Sequence, residues 1–423
     1  MPEMKDSGIE WVGAIPKEWE THPLYFYYAE RKNRNSSLQE ENLLSLSYGR
    51  VVRKDINSVG GLLPASYNTY NIVERDDIII RPTDLQNDQR SLRTALVKER
   101  GIMTSAYIDL CPKGNAFSTY YHYLLHAYDV LKVFYNMGNG VRQGLNYSEF
   151  SKLMLVSPRE EEQKRIAAFL DSKCAEIDAL TADIEKEIDT LQEYKRSVIT
   201  EAVTKGLNKN TPMKDSGTDW LGSIPKHWDT KKGKYVFAQK NDKGNSKSLV
   251  LLSPTQSYGV IPQDLYEELS GFSAVKLNEK TDFNSLKTVH KGAFVISLRS
   301  FQGGFEYSEY EGVVSPAYQV FYPSVTVHDG YYKYLFKTQV FIDKMNSYTM
   351  SLRDGKNIAF ADFGTTYIPI PPVREQEEIA NKLDNICSEL NSIIEQKQKQ
   401  LSVLADYKKS LIYEYVTGKK EAL

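Results

Sequence analysis

Cysteine is scarce in this chain. Cys111, Cys174 and Cys387 are too few and too scattered among 423 residues for a disulfide framework or a zinc-ligand set. That scarcity fits a reducing compartment, and a cytoplasmic location is expected. No apolar run approaches the eighteen or so residues of a membrane span, and the N-terminus has no signal-peptide pattern. A soluble protein without a membrane partner is therefore expected. A dominant charge is also missing: 53 basic and 55 acidic side chains leave a net charge of −2, which argues for no particular partner. What the chain has is bulk. At 41% hydrophobic and 26% charged residues it has a globular composition, and its length suits roughly two to four domains.

The chain says its opening twice. "MKDSGIEWVGAIPKEWE" (4–20) returns as "MKDSGTDWLGSIPKHWD" (213–229), identical at 11 of 17 positions. Other landmarks return in the same order. Ser47-Tyr48-Gly49 answers Ser257-Tyr258-Gly259, "GIMTSAY" (101–107) answers "GVVSPAY" (312–318), and "YYHYLL" (120–125) answers "YYKYLF" (331–336). "RIAAFLDSKCAEID" (165–178) answers "EIANKLDNICSELN" (378–391). This pattern is a tandem repeat of one unit of about 210 residues.

Each unit has two textures. The first is rich in Tyr, Gly, Ser and β-branched residues. "DDIIIRP" and "GAFVISLR" look like buried strands, and "YYHYLLHAYDVLKVFY" (120–135) has helical spacing, so an α/β domain with a substantial sheet is expected. The second begins at Pro158 or Pro371-Pro372, each followed by glutamates that suit a helix N-terminus. Ile166, Leu170, Ile177, Leu180, Ile184, Ile188, Leu191, Tyr194 and Val198 then fall mostly three or four apart. Shifted by 213, the second copy reads Ile379, Leu383, Leu390, Ile393, Lys397, Leu401, Leu404, Tyr407 and Leu411, with Lys397 as the one polar interruption. The periodicity predicts two long helices of about 45 residues and roughly 68 Å, stopped near Gly206 and Gly418 and paired along their seams. The boundaries expected are 1–157 and 207–371 for the two α/β domains, with 158–206 and 372–423 as helical spacers. Residues 158–206 carry 8 basic against 12 acidic side chains, and 207–371 carry 19 against 16. A basic excess that small is weak support for nucleic-acid binding on its own.

Two variable domains alternating with two long helices, with "VSPREEEQKRIAAFLD" and "IPIPPVREQEEIANKLD" at the junctions, resemble a known family. Together with "DSGIEWVGAIPKEW", "RPTDLQNDQRSLR" and "RSFQGGFEYSEYEGVVSPAY", the chain is similar along its whole length to the DNA-specificity subunits of type I restriction–modification systems. The resemblance implies two target-recognition domains, each reading one half of a bipartite, asymmetric site in double-stranded DNA. It implies helices that pack as an antiparallel coiled coil, set the spacing between the halves and dock methyltransferase subunits, two in number. Restriction or translocase subunits complete such a complex. S-adenosylmethionine, ATP and magnesium are then expected on the partners, and no cofactor on this chain.

The residues agree that catalysis is absent here. "DGKN" (354–357) lacks the upstream glycine and following hydroxyl of a phosphate-binding loop, and "GNGVRQG" (138–144) misses the dinucleotide fingerprint by one position. No Asn or Asp precedes Pro371-Pro372, so the amino-methyltransferase signature is missing, and "EQK" (395–397) falls on a helix rather than a nuclease strand. His122 and His126 have metal-helix spacing, but Lys333 and Lys337 replace them in the second unit, so a solvated face is expected. Trp11, Trp19, Trp220 and Trp228 sit in the shared frame and are expected to anchor it. Cys174 and Cys387 are expected to pack.

Base reading is expected where the units diverge after a shared strand. Arg pairs bidentately with guanine, and Gln or Asn with adenine, which singles out Arg81, Gln86, Asn87, Gln89 and Arg90, with Arg299 and Gln302 in the second unit. Arg50, Arg53 and Lys54 are further candidates. Arg142 in "RQGLNY", and Arg353 and Lys356 in "RDGKN", lie near the junctions and suit phosphate positioning. The rival reading is an adaptor with two protein-binding domains on a coiled coil, which steeply salt-dependent binding to duplex DNA would exclude.

Overall fold

A computed structural model describes residues 3–57, 66–85, 88, 90–135, 137, 144–243, 249–272, 285–297, 304–348 and 358–422. The chain is mixed α/β and divides into two compact units. The first is Met1–Glu185 with Gln398–Leu423, and the second is Lys186–Lys397.

In the first unit the repeated opening folds into a small antiparallel pair, Met4–Asp6 with Ala14–Pro16, which delivers Trp19 into the core. The central sheet is antiparallel and four-stranded, in the order Tyr28–Glu30, Ile108–Pro112, Ile78–Ile80, Thr94–Leu96. Ile78, Ile79 and Ile80 are all buried, because the sheet is covered on both faces there and needs no polar alternation. The helix Ser118–Val130 packs on this sheet through Tyr121, Leu124, Leu125 and Tyr128. It stops earlier than "YYHYLLHAYDVLKVFY" suggested: Lys132 takes a φ of 60° and the chain turns.

The second unit has the same strand order: Phe237–Lys240, Gln319–Pro323, Phe294–Ile296, Phe305–Tyr307. Its core is built on phenylalanine. Phe237, Phe294, Phe305, Phe321, Phe336, Phe341 and Phe363 form one continuous set of ring contacts. Its opening pair, Met213–Asp215 with Ser223–Pro225, delivers Trp228.

Two long helices, Glu160–Lys205 and Val373–Val416, contain 46 and 44 residues, about 69 and 66 Å. Glu160, Glu161 and Glu162 occupy the first turn of one, and Glu375 that of the other, facing the positive end of the helix. Gly206 and Gly418, with φ of 77° and 70°, follow the helical ends. Both lie under a tryptophan: a Cβ on Gly206 would stand 3.4 Å from Trp228, and one on Gly418 would stand 3.2 Å from Trp19.

Within each unit segments of the two helices run in opposite directions. In the first, Phe169 stacks on Tyr415 at 4.4 Å and Lys408 bonds Asp178 at 2.6 Å. In the second, Lys195 donates to Asn391 at 2.7 Å and Lys397 pairs with Glu187. Lys397 is thus a cross-helix ion-pair partner rather than a mere gap in the seam. The expected seam is also too wide. Leu180 (48% exposed), Tyr194 (56%), Ile393 (41%) and Tyr407 (54%) face outward. At about 100° per residue, Tyr194 lies roughly 80° off the line through Ile166 and Ile184, on the side opposite buried Cys174. Cys174 and Cys387 are both buried, and burial pushes both thiols up.

Candidate nucleic-acid interface

In the first unit the segment following Ile78–Ile80 leaves the sheet as a loop and returns at Thr94. Arg81 N donates to Arg93 O at 2.8 Å, closing the loop at its base. The Arg93 side chain has no solvent exposure and fills the loop from inside. Its guanidinium donates to the carbonyls of Thr83, of Asp84 at 2.9 Å and of Asp88 at 2.5 Å, while Nε donates to Tyr135 Oη at 3.1 Å. Arg93 N donates to Asp129 Oδ2 at 2.5 Å, and Tyr135 Oη donates to the other oxygen at 2.9 Å. Burial pushes the Asp129 carboxyl up, and these donors oppose it. A buried cation is tolerated only when its donors are satisfied, and loop carbonyls satisfy this one. Arg93 therefore sets the loop's shape. It escaped the sequence reading because nothing in "SLRTAL" separates a buried arginine from a solvated one.

The candidates fall into three groups. Arg81, part-exposed, stands 3.7 Å from Asp88. The Ser91 hydroxyl and amide, with the Arg90 amide, hold the Asp88 carboxyl down at about 2. Asp88 is an organiser of this loop, and exposed Arg90 lies at its edge. Arg50, Arg53 and Lys54 lie on or beside the strand Arg50–Arg53, paired with Leu44–Ser47. Alternation along the strand sends Arg50 and Arg53 to opposite faces. Arg50 reaches Asp178 at 3.2 Å, and Arg53 forms a two-pronged pair with Glu99, at 2.8 Å through Nε. The two arginines do not converge on one surface. Gln86, Asn87, Gln89, Arg142, Arg299, Gln302, Arg353 and Lys356 lie outside the described residues, as do "DGKN" and most of "GNGVRQG".

The same bond recurs at the corresponding place of the second unit, Ser297 N donating to Gly304 O at 2.8 Å. Gly304 stands where Arg93 stands in the first unit, one residue before the strand that begins at Thr94 or Phe305.

The histidines are not on a solvated face. His122 Nε2 is buried without a hydrogen-bond partner, and burial holds the ring's pKa down at about 3; burial and Lys408 hold His126 at about 4. The lysines at their places reach carboxylates instead: Lys337 pairs with buried Glu306 at 2.6 Å and Lys333 with Glu309 at 3.3 Å. Among the described residues no set of three His, Cys, Asp or Glu side chains is placed to hold a metal, and no helix is long and apolar enough to cross a membrane. The tryptophans are structural. Trp19 and Trp228 are buried edge-on to Tyr120 and Tyr331, and Trp220 Nε1 donates to Tyr367 O at 3.1 Å. Trp11 packs edge-on against Tyr128.

Residues 222–403 match the model of the type I restriction modification DNA specificity domain. The chain is 22% identical to a protein described as the MjaX specificity subunit of a type I restriction enzyme from Methanocaldococcus jannaschii, over 96% of this chain and 95% of that one. It is likewise 22% identical to the type I restriction enzyme MjaVIII specificity subunit of that organism, over 96% and 93%. Among solved structures it aligns with a chain from work on complex assembly and conformational transition of the type I R-M system, with a TM-score of 0.69 at 13% identity, covering 96% and 99%. The HsdS subunit of Thermoanaerobacter tengcongensis aligns with a TM-score of 0.50 at 12% identity, covering 96% and 98%. At such identities the structural likeness speaks for the fold alone.

Proposed function

We infer that the chain belongs to the DNA-specificity subunits of type I restriction–modification systems and is the non-catalytic DNA-recognition subunit of such a complex. The observation that carries this is the specificity-domain match across most of the second unit, joined to near full-length similarity to two specificity subunits. The finer reading is that 1–157 and 207–371 are target-recognition domains, each reading one half of an asymmetric bipartite site, and that 158–206 and 372–423 are spacers. Identical strand order in the two sheets supports a tandem repeat, and opposed helical segments within each unit support an antiparallel coiled coil.

Methyltransferase subunits dock on the helices in this reading. Each unit offers an aliphatic side chain and a tyrosine uncovered on its helical segments, Leu180 with Tyr407 and Ile393 with Tyr194. One such pair per unit suits two methyltransferase copies. S-adenosylmethionine then belongs to those subunits, ATP and magnesium to restriction or translocase subunits, and the complex works in the cytoplasm. Base contacts fall to the loops after Ile80 and Ile296, and phosphate positioning to Arg142, Arg353 and Lys356.

The test is to express the chain with its methyltransferase partner and map methylated adenines genome-wide. One bipartite, asymmetric motif is expected, together with duplex binding that weakens steeply with salt. No methylation and salt-insensitive binding would return the adaptor reading.

A further inference from the structure

The loop organised by Arg93 has a neighbour that the reading above leaves unused. The hairpin joining Leu44–Ser47 to Arg50–Arg53 reverses through two residues, Tyr48 and Gly49, with φ of 47° and 74°. Two-residue turns with both φ positive favour Asn-Gly. A tyrosine in the first place is held where its Cβ is crowded. Nothing in the fold repays that strain: Tyr48 is 90% exposed, the most exposed large hydrophobic side chain among the described residues, and stacks on no other ring there.

The tip is also fixed in place. A Cβ on Gly49 would stand 2.9 Å from Leu92 Cδ1, so the turn lies directly on Leu92. Leu92 follows Arg90 and Ser91 and precedes the buried Arg93, so the turn that carries Tyr48 stands beside the loop assigned to base reading. The second unit differs at this point. Tyr258 is half-exposed, has no positive φ, and lines a cavity of 610 Å³ with Tyr307, Tyr310, Lys333 and Tyr334.

We propose that Tyr48 is a base-stacking residue of the first unit, its ring packing on a base face within the half-site that this unit reads. The strained turn serves to present the ring, in keeping with backbone strain being retained where it has a use. The proposal rests on the chain being a DNA-specificity subunit, and deepens that reading to one residue that the arginine and amide code does not cover. Aromatic stacking tolerates any base, so Tyr48 adds affinity and local distortion rather than a choice among bases.

The experiment uses the full chain with its methyltransferase partner and a duplex bearing the mapped site. Tyr48→Asn installs the better turn residue, so thermal stability is expected to hold or rise while affinity falls by about five- to 150-fold, the range of one lost stack. Because no phosphate contact is lost, the slope of log affinity against log salt is expected to stay unchanged. Tyr48→Phe is expected to bind within about twofold of the wild type, since it keeps the stacking face. With 2-aminopurine walked through the first half-site, one position is expected to change fluorescence with wild type and Tyr48→Phe but not with Tyr48→Asn. Wild-type affinity in Tyr48→Asn, a loss in Tyr48→Phe equal to that in Tyr48→Asn, or an altered salt slope overturns the proposal alone. A wild-type complex that does not bind the duplex overturns the specificity-subunit reading, and the proposal with it.

Discussion

Ile78 and Phe294 hold the same place in two sheets, and comparing their surroundings separates what the fold requires from what it leaves open. Ile78 lies between Leu96 and Leu110, Phe294 between Tyr307 and Phe321. The register is the same, but one interior is aliphatic and tyrosine-rich and the other a phenylalanine cluster. Strand pairing depends on backbone hydrogen bonds and burial, and neighbouring side chains adjust to volume. Just beyond these strands the same backbone bond recurs, and the residue accepting it is buried Arg93 in one unit and Gly304 in the other.

The sharpest break of the comparison comes from cutting the chain. Residues 1–212 lose Leu411, Ile412 and Val416 from the first core, along with the carbonyl of Val416 that receives Tyr120 Oη at 2.9 Å. In the second unit the carbonyl of Val203 receives Tyr331 Oη at 2.6 Å, so a second copy of the fragment has the right group to offer. A homodimer recognising a palindrome of the first half-site is expected. A folded monomer at about 50 µM by light scattering, well below the weak-association regime, would show that the two helix ends are not interchangeable.

Next in size is Arg93→Met. It leaves three loop carbonyls and Tyr135 without their shared donor and is expected to cost roughly 3–5 kcal/mol in urea unfolding, with relaxed methylation in one half-site only. Relaxation in both halves would contradict the independence of the loops.

The histidines supply a pH test. Unfolded imidazoles titrate near 6.5, while burial holds His122 and His126 at about 3 and 4, so the unfolded state binds more protons below 6.5. Their contribution to stability is complete above that pH and is lost as pH falls toward 4. His122→Gln with His126→Gln is expected to shrink the stability difference between pH 7.5 and 5 by about 4 kcal/mol, about 2 from each ring. An unchanged difference would mean that the rings are hydrated.

The smallest effect separates the two anchors. Trp228 Nε1 donates to Glu375 Oε2 at 2.9 Å, and Trp19 forms no such bond among the described residues. Trp228→Phe is expected to cost about 1 kcal/mol more than Trp19→Phe in matched denaturant titrations. Equal costs would place the whole effect in packing.

These outcomes depend on features of unequal legibility. The helix starts at Pro158 and Pro372, the stops at Gly206 and Gly418 and the anchoring tryptophans could be read because each signal sits within a few residues of its effect. Arg93 was not legible: the carbonyls of Thr83, Asp84 and Asp88 surround it only once the loop has closed. Nor was the exposure of Leu180 and Ile393, since a heptad only approximates a helix of 3.6 residues per turn and says nothing of how wide the covering surface is. His122 was misjudged by analogy, because a lysine that finds a buried carboxylate occupies the same place as an imidazole that stays neutral.

The division of the long helices has a consequence for synthesis. The second unit, Lys186–Lys397, is one uninterrupted stretch, whereas the first needs Gln398–Leu423 to fill its core. A ribosome adding about 5–20 residues per second reaches that segment roughly 10–40 s after finishing Glu185. The half of the molecule made first is therefore completed last, and it waits with Tyr120 and Trp19 uncovered while its successor folds. Chaperone binding during translation should concentrate on the N-terminal half, and a stop codon between residues 398 and 411 should harm the first unit more than the second.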